Sequence, residues 1–100
     1  MSEGPIVLNV RFDAASGREE ELARELRALI SPTRGEAGCL IYELYRDSED
    51  RGKFMFHEKF ASQAALDLHV NAPYFKKFLS YREKDDPIAA QTVTRWQSLD

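Results

Sequence analysis

Four stretches of this chain are rich in branched and aromatic residues, and two regions with helical spacing separate them. The strand-like stretches are residues 5–12, 39–46, 53–60 and 88–96. The second and third flank a polar loop with a glycine near its end, a pattern typical of a hairpin. The order strand, helix, strand, strand, helix, strand predicts an α+β, ferredoxin-like split β-α-β-β-α-β fold, in which a four-stranded antiparallel sheet carries helices on one face.

The clearest helix is predicted directly after the first strand. Ser16 and Glu19 fit a capping box, in which each side chain bonds the free amide of the other residue. An apolar stripe at helical spacing follows, formed by Leu22, Leu26, Leu29 and Ile30. Pro32 should kink or end this helix because it lacks an amide donor.

The second helical region is predicted to divide in two. Ser62 can cap a short helix in which Leu66 and His69 share a face. Pro73 then suits the first turn of another helix. The charged segment 82–87 is expected to break that helix before the last strand.

With 100 residues, the chain is long enough for one domain, which we expect to span residues 1–100 with its core at about 5–96. A core of this size is thin. The first two strands, together with Met55 and His57, are too apolar for the second face of the sheet to be wet. A second copy packed sheet to sheet would cover that face, so we expect a homodimer.

The charge balance and the single cysteine exclude several classes of protein. Fourteen basic and 17 acidic residues give a net charge of −3, without the basic stripe typical of a duplex nucleic-acid binder. No stretch approaches the ~20 apolar residues of a membrane span, and the first residues lack a secretory pattern. Cys39 is the only cysteine, which excludes an internal disulfide and a cysteine-rich zinc site. We therefore expect no metal site and a cytoplasmic location.

No strong catalytic motif is present, so the candidates are polar residues on apolar faces. His69 is either a partly buried histidine with a backbone partner or a proton acceptor in an apolar pocket. Asn9, in the middle of a strand, either bonds a neighbouring loop or holds a ligand oxygen. Glu58 shares a strand face with phenylalanines, and it either pairs with an arginine such as Arg11 or Arg95 or acts as a catalytic acid.

Several short motifs, in this order, resemble the antibiotic biosynthesis monooxygenase family. Residues 32–44, PTRGEAGCLIYEL, resemble the family signature "ptR-E-GC–Y-l". Residues 54–60, followed by 64–66 and His69, resemble its "fvlyErW…AL–H" segment, and residues 73–79 resemble the "sphfkafl" that comes next. The resemblance covers about residues 5–96 and is more specific for the domain than for any one reaction.

The resemblance implies a dimer that closes through its sheets into an α+β barrel, with an apolar pocket between sheet and helices in each subunit. Family members include enzymes that oxidise quinols or polyketide phenols with molecular oxygen and no cofactor. In such chemistry His69 would be the base and Asn9 would bond a ring oxygen, as the two catalytic residues. The residues expected to contact the substrate are Phe54, Phe56, Phe60, Tyr42, Tyr74 and Glu58.

Two other functions remain open at the level of the sequence. Haem-degrading relatives match this chain at Asn9 and His69, but Phe60 replaces the strand-end tryptophan whose bulk distorts the haem. A non-catalytic dimer that binds a small ligand is the second alternative. The expected partners are otherwise a small aromatic substrate and oxygen, with no cofactor.

Overall fold

The computed structural model describes residues 4–99 and arranges them as a sheet with helices on one side. The strands are β1 (Ile6–Ala14), β2 (Cys39–Arg46), β3 (Lys53–Phe60) and β4 (Ile88–Trp96). The helices are α1 (Glu19–Arg27), α2 (Ile30–Arg34), α3 (Gln63–Val70) and α4 (Pro73–Asp85). The sheet order is β2-β3-β1-β4, and all neighbouring strands are antiparallel. The predicted ferredoxin-like fold is confirmed, while residues 1–3 and 100 of the predicted domain lie outside the described part.

The start of α1 differs from the prediction. The capping box of Ser16 and Glu19 does not form, because the N-cap position is Arg18. Gly17 adopts a φ of +81°, which suits glycine, and its amide donates to the Glu19 carboxylate at 3.3 Å. The chain therefore makes a turn at Ser16 and Gly17 before the helix begins.

Ser62 and Pro73 act at helix boundaries as predicted, whereas α1 ends at Arg27, five residues before Pro32. Pro32 lies in the first turn of α2, after α1 has ended, where a missing amide removes no helical hydrogen bond. Ser62 caps α3, since its Oγ accepts a hydrogen bond from the amide of Ala65 at 3.1 Å. Pro73 is the first residue of α4.

The predicted break at 82–87 is largely wrong, because α4 continues to Asp85. Arg82 forms an i,i+4 ion pair with Asp86 at 3.1 Å. Arg18, at the start of α1, contacts the Asp85 carboxylate at 2.9 Å. Such pairs stabilise the charged C-terminal end of α4, although its composition alone suggests a loop.

The core lies between the sheet and the helices. Alternate residues of β1 and β3 supply the sheet side of this core: Ile6, Leu8, Val10, Phe12, Phe54, Phe56, Glu58 and Phe60. From α1, Leu22 and Leu26 are fully buried, which confirms the predicted stripe. Each such leucine stabilises the fold by roughly 1.5–3 kcal/mol through removal of its apolar surface from water.

The opposite face of the sheet, which we call the outer face, has no helix layer within the described residues 4–99. Asn9 lies there beside His57, and Trp96 pairs with Val7 at the edge next to them. The tryptophan is 55% exposed. Within residues 4–99, no helix has the length and apolar character that a membrane span requires.

Gly38, directly before β2, packs closely against α3. A methyl group on its Cα would lie only 2.4 Å from Cβ of Ala65. Gly38→Ala should therefore lower the free energy of unfolding by about 1–3 kcal/mol, because overpacking displaces the helix. Urea denaturation measures this change.

The control variant is Gly4→Ala, whose added methyl group would contact nothing within 4 Å. Its stability should stay within about 0.5 kcal/mol of the wild type. Equal stability of the Gly38→Ala and Gly4→Ala proteins would contradict the proposed close packing.

Candidate active site

A cavity of about 330 Å³ lies between the sheet and the helices, next to β4. Its lining is mostly apolar and includes Leu8, Val10, Phe56, Leu66, Phe75 and Phe78. Val93 of β4 also lines the cavity and is 56% exposed, so the cavity opens to solvent along this strand. This volume lies within the usual range for small-molecule sites, which is about 300–1,000 Å³.

A larger depression of about 400 Å³ lies near the β2–β3 hairpin. Its lining includes the charged residues Arg11, Asp13 and Lys53. Neither His69 nor Glu58 lines it, so the apolar cavity is the better candidate for a site.

His69 is buried in the wall of the cavity, with only 2% of its surface exposed. Its Nδ1 lies 2.9 Å from Oε2 of Glu36, and the same oxygen accepts a hydrogen bond from the Tyr74 hydroxyl. Because a carboxylate only accepts hydrogen bonds, Nδ1 carries a proton. Nε2 is therefore the ring nitrogen that is left to accept a second proton.

The environment of Tyr74 keeps its hydroxyl protonated. Burial and the hydrogen bond to Glu36 raise the pKa of Tyr74 to about 12. Tyr74 is therefore a hydrogen-bond donor at neutral pH, and it holds the Glu36 carboxylate against His69.

Three aromatic rings surround His69 on its other sides. Its ring centroid lies 4.8 Å from that of Phe75, 5.0 Å from that of Phe60 and 5.5 Å from that of Tyr42. Burial raises the pKa of Tyr42 well above its usual range, so this phenol stays neutral. The imidazole is thus fixed by packing as well as by its hydrogen bond.

Glu58 is the second titratable group in the cavity, and it is only 5% exposed. The expected pairing with an arginine is not found: Arg11 lies in register with the outer face, and Arg95 donates to the side-chain oxygen of Gln63 at 2.7 Å. Among residues 4–99, Glu58 has no hydrogen-bond or ion-pair partner. Burial, with a smaller effect from the charge of Glu36, raises the pKa of Glu58 to about 7.

The structure brings some of the predicted site residues together. His69, Tyr42, Phe56 and Glu58 all line the cavity. Phe60 packs against His69 from behind without lining the cavity.

Phe54 lies elsewhere in the core. Its ring packs below the guanidinium of Arg46, 4.8 Å from the ring centroid, near the hairpin end of β3. Phe54 is therefore a core residue that does not line the cavity, although it is expected from the sequence to contact the substrate. Tyr74 also does not line the cavity, and it reaches the site only through Glu36.

The structure does not bring Asn9 together with His69, although both are expected from the sequence to be catalytic residues. Leu8 and Val10 face the helices, so strand alternation turns Asn9 to the outer face. There its Nδ2 lies 3.4 Å from Nδ1 of His57. The sheet separates Asn9 from the cavity.

Glu36 is the residue that sequence reasoning missed. It lies in the loop between α2 and β2, inside the PTRGEAGC segment, and its Oε1 is buried without a hydrogen-bond partner among residues 4–99. The sequence did contain one signal for this residue: Glu36 is an acidic residue in a short loop between Gly35 and Gly38, directly before an apolar strand. Only the fold places this loop against α3 and α4.

Comparisons with known proteins agree with this architecture. The family model described as antibiotic biosynthesis monooxygenase matches residues 5–81. Rv0793 of Mycobacterium tuberculosis, named only as a candidate monooxygenase, is 37% identical over 89 residues, which cover 89% of this chain and 84% of that protein.

Two further matches extend the comparison. The uncharacterised protein sll1783 of Synechocystis is 33% identical over 78 residues, which cover 78% of this chain and only 53% of the Synechocystis protein. The chain therefore spans about half the length of that relative. The crystal structure of PA3566 from Pseudomonas aeruginosa matches with a TM-score of 0.91 at 37% identity, covering 100% of this chain and 98% of that one.

The raised pKa of Glu58 should make the protein less stable as the pH rises. The folded state keeps a proton on Glu58 up to about pH 7, whereas an unfolded glutamate loses it near pH ~4.3. Between these values the folded state binds more protons, so the free energy of unfolding falls with rising pH. The Glu58 contribution is about 2–3 kcal/mol between roughly pH 4.5 and 8.

Glu58→Gln should remove this part of the pH dependence. Urea denaturation at pH 5 and pH 8 measures the difference between the variant and the wild type. Glu83→Gln, the same substitution at an exposed position of α4, is the control and should keep the wild-type dependence. If Glu58→Gln lost as much stability between pH 5 and pH 8 as the wild type does, the raised pKa of Glu58 would be contradicted.

Proposed function

Since this chain belongs to the antibiotic biosynthesis monooxygenase family, we propose that it is a cofactor-independent monooxygenase that oxidises a quinol or a related phenol with molecular oxygen. The observation that carries the proposal is His69, a buried imidazole in the wall of an apolar cavity whose Nδ1 is held by Glu36. A positioned base in the wall of an apolar cavity is what this chemistry needs from a protein.

His69 is the general base in this proposal. Nε2 takes the phenolic proton of the substrate, and the Glu36 carboxylate stabilises the imidazolium that forms. Histidine suits this role because its unperturbed pKa of ~6.5 lies close to the working pH. Tyr74 acts as a positioning residue, because its hydroxyl contacts Glu36 rather than the cavity.

The deprotonated ring supplies the electrons. A hydroquinone and O₂ give a hydroxyquinone and water, so one oxygen atom enters the ring and the other leaves as water. All four electrons that O₂ accepts come from the ring, and the balance therefore needs no external reductant. The protein's part is to bind the ring, remove a proton and exclude water from the reactive intermediates.

The walls of the cavity suit a flat aromatic ligand. Phe56 lies at the sheet side and stacks on Tyr42 with 4.5 Å between ring centroids. Phe75 lies at the helix side, against His69. Aromatic walls of this kind favour a ring stacked or tilted between them.

We also infer that two copies pair through the outer face. The support is the half-exposed Trp96 and the absence of a helix layer over this face within residues 4–99. Met55 and His57 are already partly buried there in a single chain. A second copy of the same face would remove this surface from water on both chains at once.

A second candidate is a non-catalytic dimer that binds a small apolar ligand. The mostly apolar lining of the cavity can hold such a ligand, but the opening along β4, at the exposed Val93, equally admits a substrate. Oxygen uptake separates the two functions.

The first measurement is oxygen uptake with a panel of hydroquinones, without added flavin or metal. Wild-type protein should consume oxygen faster than autoxidation. His69→Gln should lower kcat/KM by about 10²- to 10⁴-fold, the usual contribution of a general base.

Lys76→Gln is the control, since Lys76 is exposed on α4 and does not line the cavity. It should keep its kcat/KM within about threefold, well below the effect of losing a base. Absence of uptake above autoxidation across the panel would reject the oxidation and leave the ligand-binding function. A saturable Soret shift on titration with haem would instead support the haem alternative.

The dimer has a separate test. Light scattering after gel filtration should give the wild type the mass of two chains. Met55→Lys places a charge on the outer face and should give a single-chain mass, because an unpaired charge in an interface is unfavourable. Leu68→Lys, at a side chain of α3 that is 74% exposed, should remain a dimer. A single-chain wild type would contradict the inference.

A further inference from the structure

Glu58 is a buried polar group whose hydrogen-bonding capacity is unused within residues 4–99. Its side chain lines the cavity, is 5% exposed and has no hydrogen-bond or ion-pair partner there. Buried polar groups without a partner are rare in folded proteins, because each one loses its bonds to water. A group of this kind in a cavity wall points to a partner on the ligand.

The position of Glu58 sets it apart from His69. Glu58 belongs to β3, where it lies in register with Leu8 of β1 and Tyr42 of β2, so it reaches the cavity from the sheet. His69 reaches the same cavity from α3. A ligand between the two layers therefore meets Glu58 from the sheet and His69 from α3. The lining also includes the polar residues Arg82, Gln91 and Arg95.

We propose that Glu58 is a specificity-determining residue, which donates a hydrogen bond from its protonated carboxyl group to an uncharged oxygen of the ligand, such as a ketone, quinone or hydroxyl oxygen. A second oxygen on the ligand then faces His69. This proposal adds a role for Glu58 to the proposed function. It rests on that function only in taking the cavity as the binding site. The cavity should thus select neutral oxygenated rings over oxygen-free rings and over carboxylates.

The groups that face Glu58 support a neutral carboxyl. Tyr42 from β2 is an uncharged phenol, and burial keeps it so. The imidazole of His69 is already held by Glu36, whose negative charge acts on Glu58 as well. These two causes, burial and Glu36, raise the pKa of Glu58 to about 7.

Two arginines at the cavity do not neutralise Glu58. Arg82 of α4 is bound to Asp86 at 3.1 Å and to the side-chain oxygen of Gln91 at 2.6 Å. Arg95 of β4 donates to Gln63. When Glu58 ionises, its charge therefore remains without a counter-ion, and it loses the proton that it donates. Affinity for an uncharged oxygen should fall as the pH rises through this range.

Three naphthalenes of nearly equal shape test this selection. 2-Acetylnaphthalene carries a ketone, 2-isopropenylnaphthalene has a methylene group in place of the oxygen, and 2-naphthoate carries a carboxylate. None has a ring hydroxyl for the proposed oxidation, so binding is measured without turnover. Dissociation constants come from ligand fluorescence at pH 5.5 and pH 8.5.

In the wild type at pH 5.5, the ketone should bind roughly three- to tenfold more tightly than the alkene, the usual effect of one hydrogen bond. This preference should disappear at pH 8.5, where the carboxylate should be the weakest of the three ligands. Glu58→Gln, whose amide donates at every pH, should keep the ketone preference at pH 8.5. Glu58→Leu should lose it at both pH values, and Glu83→Gln, at an exposed position outside the cavity, should behave as wild type.

Equal affinity of the ketone and the alkene for the wild type at pH 5.5 would overturn the proposal, as would no saturable binding of any of the three. A pH dependence that survives in Glu58→Gln would also overturn it, because the effect would then belong to another group. A ketone preference without oxygen uptake by hydroquinones would uphold the role of Glu58 and reject only the oxidation.

Discussion

The alternation of side chains along β1 and β3 is the constraint on which the rest of this structure depends. Leu8, Val10 and Phe56 must leave water, so both strands turn the same face to the helices. Every residue in phase with them is carried inward, and every residue out of phase is carried outward. Glu58 is in phase and enters the core, whereas Asn9 is out of phase and lies on the outer face.

Two carboxyl groups share the resulting low-polarity space, and their environments separate their roles. Glu36 accepts hydrogen bonds from His69 and Tyr74, which compensate its partial burial. Glu58 has no such donors among residues 4–99 and relieves the cost of burial by keeping its proton. Glu58 lowers the stability of the fold as the pH rises. Its place in the core therefore points to a role in binding a ligand rather than in stabilising the fold.

Much of the fold could be predicted because its signals are local. The bounds of β2, β3 and β4 agree with the prediction, since residue type and turn chemistry act over a few neighbours. The errors occur where distant groups intervene. Arg18 lies at the N-cap position that was assigned to Ser16, and its guanidinium bonds Asp85 at the end of α4, far along the chain. No local pattern contains that contact.

By itself, the sequence determined the order of the elements, the inward stripe of α1 and the place of His69 on the inner side of α3. These features follow from the spacing of apolar residues, which can be read from each segment of the sequence separately. Only the tertiary structure decided that Glu36 meets His69, that Asn9 does not, and that Glu58 lacks an arginine. Residues 33 positions apart, as Glu36 and His69 are, come together only through the packing of helices on the sheet, and that packing depends on all the strands at once.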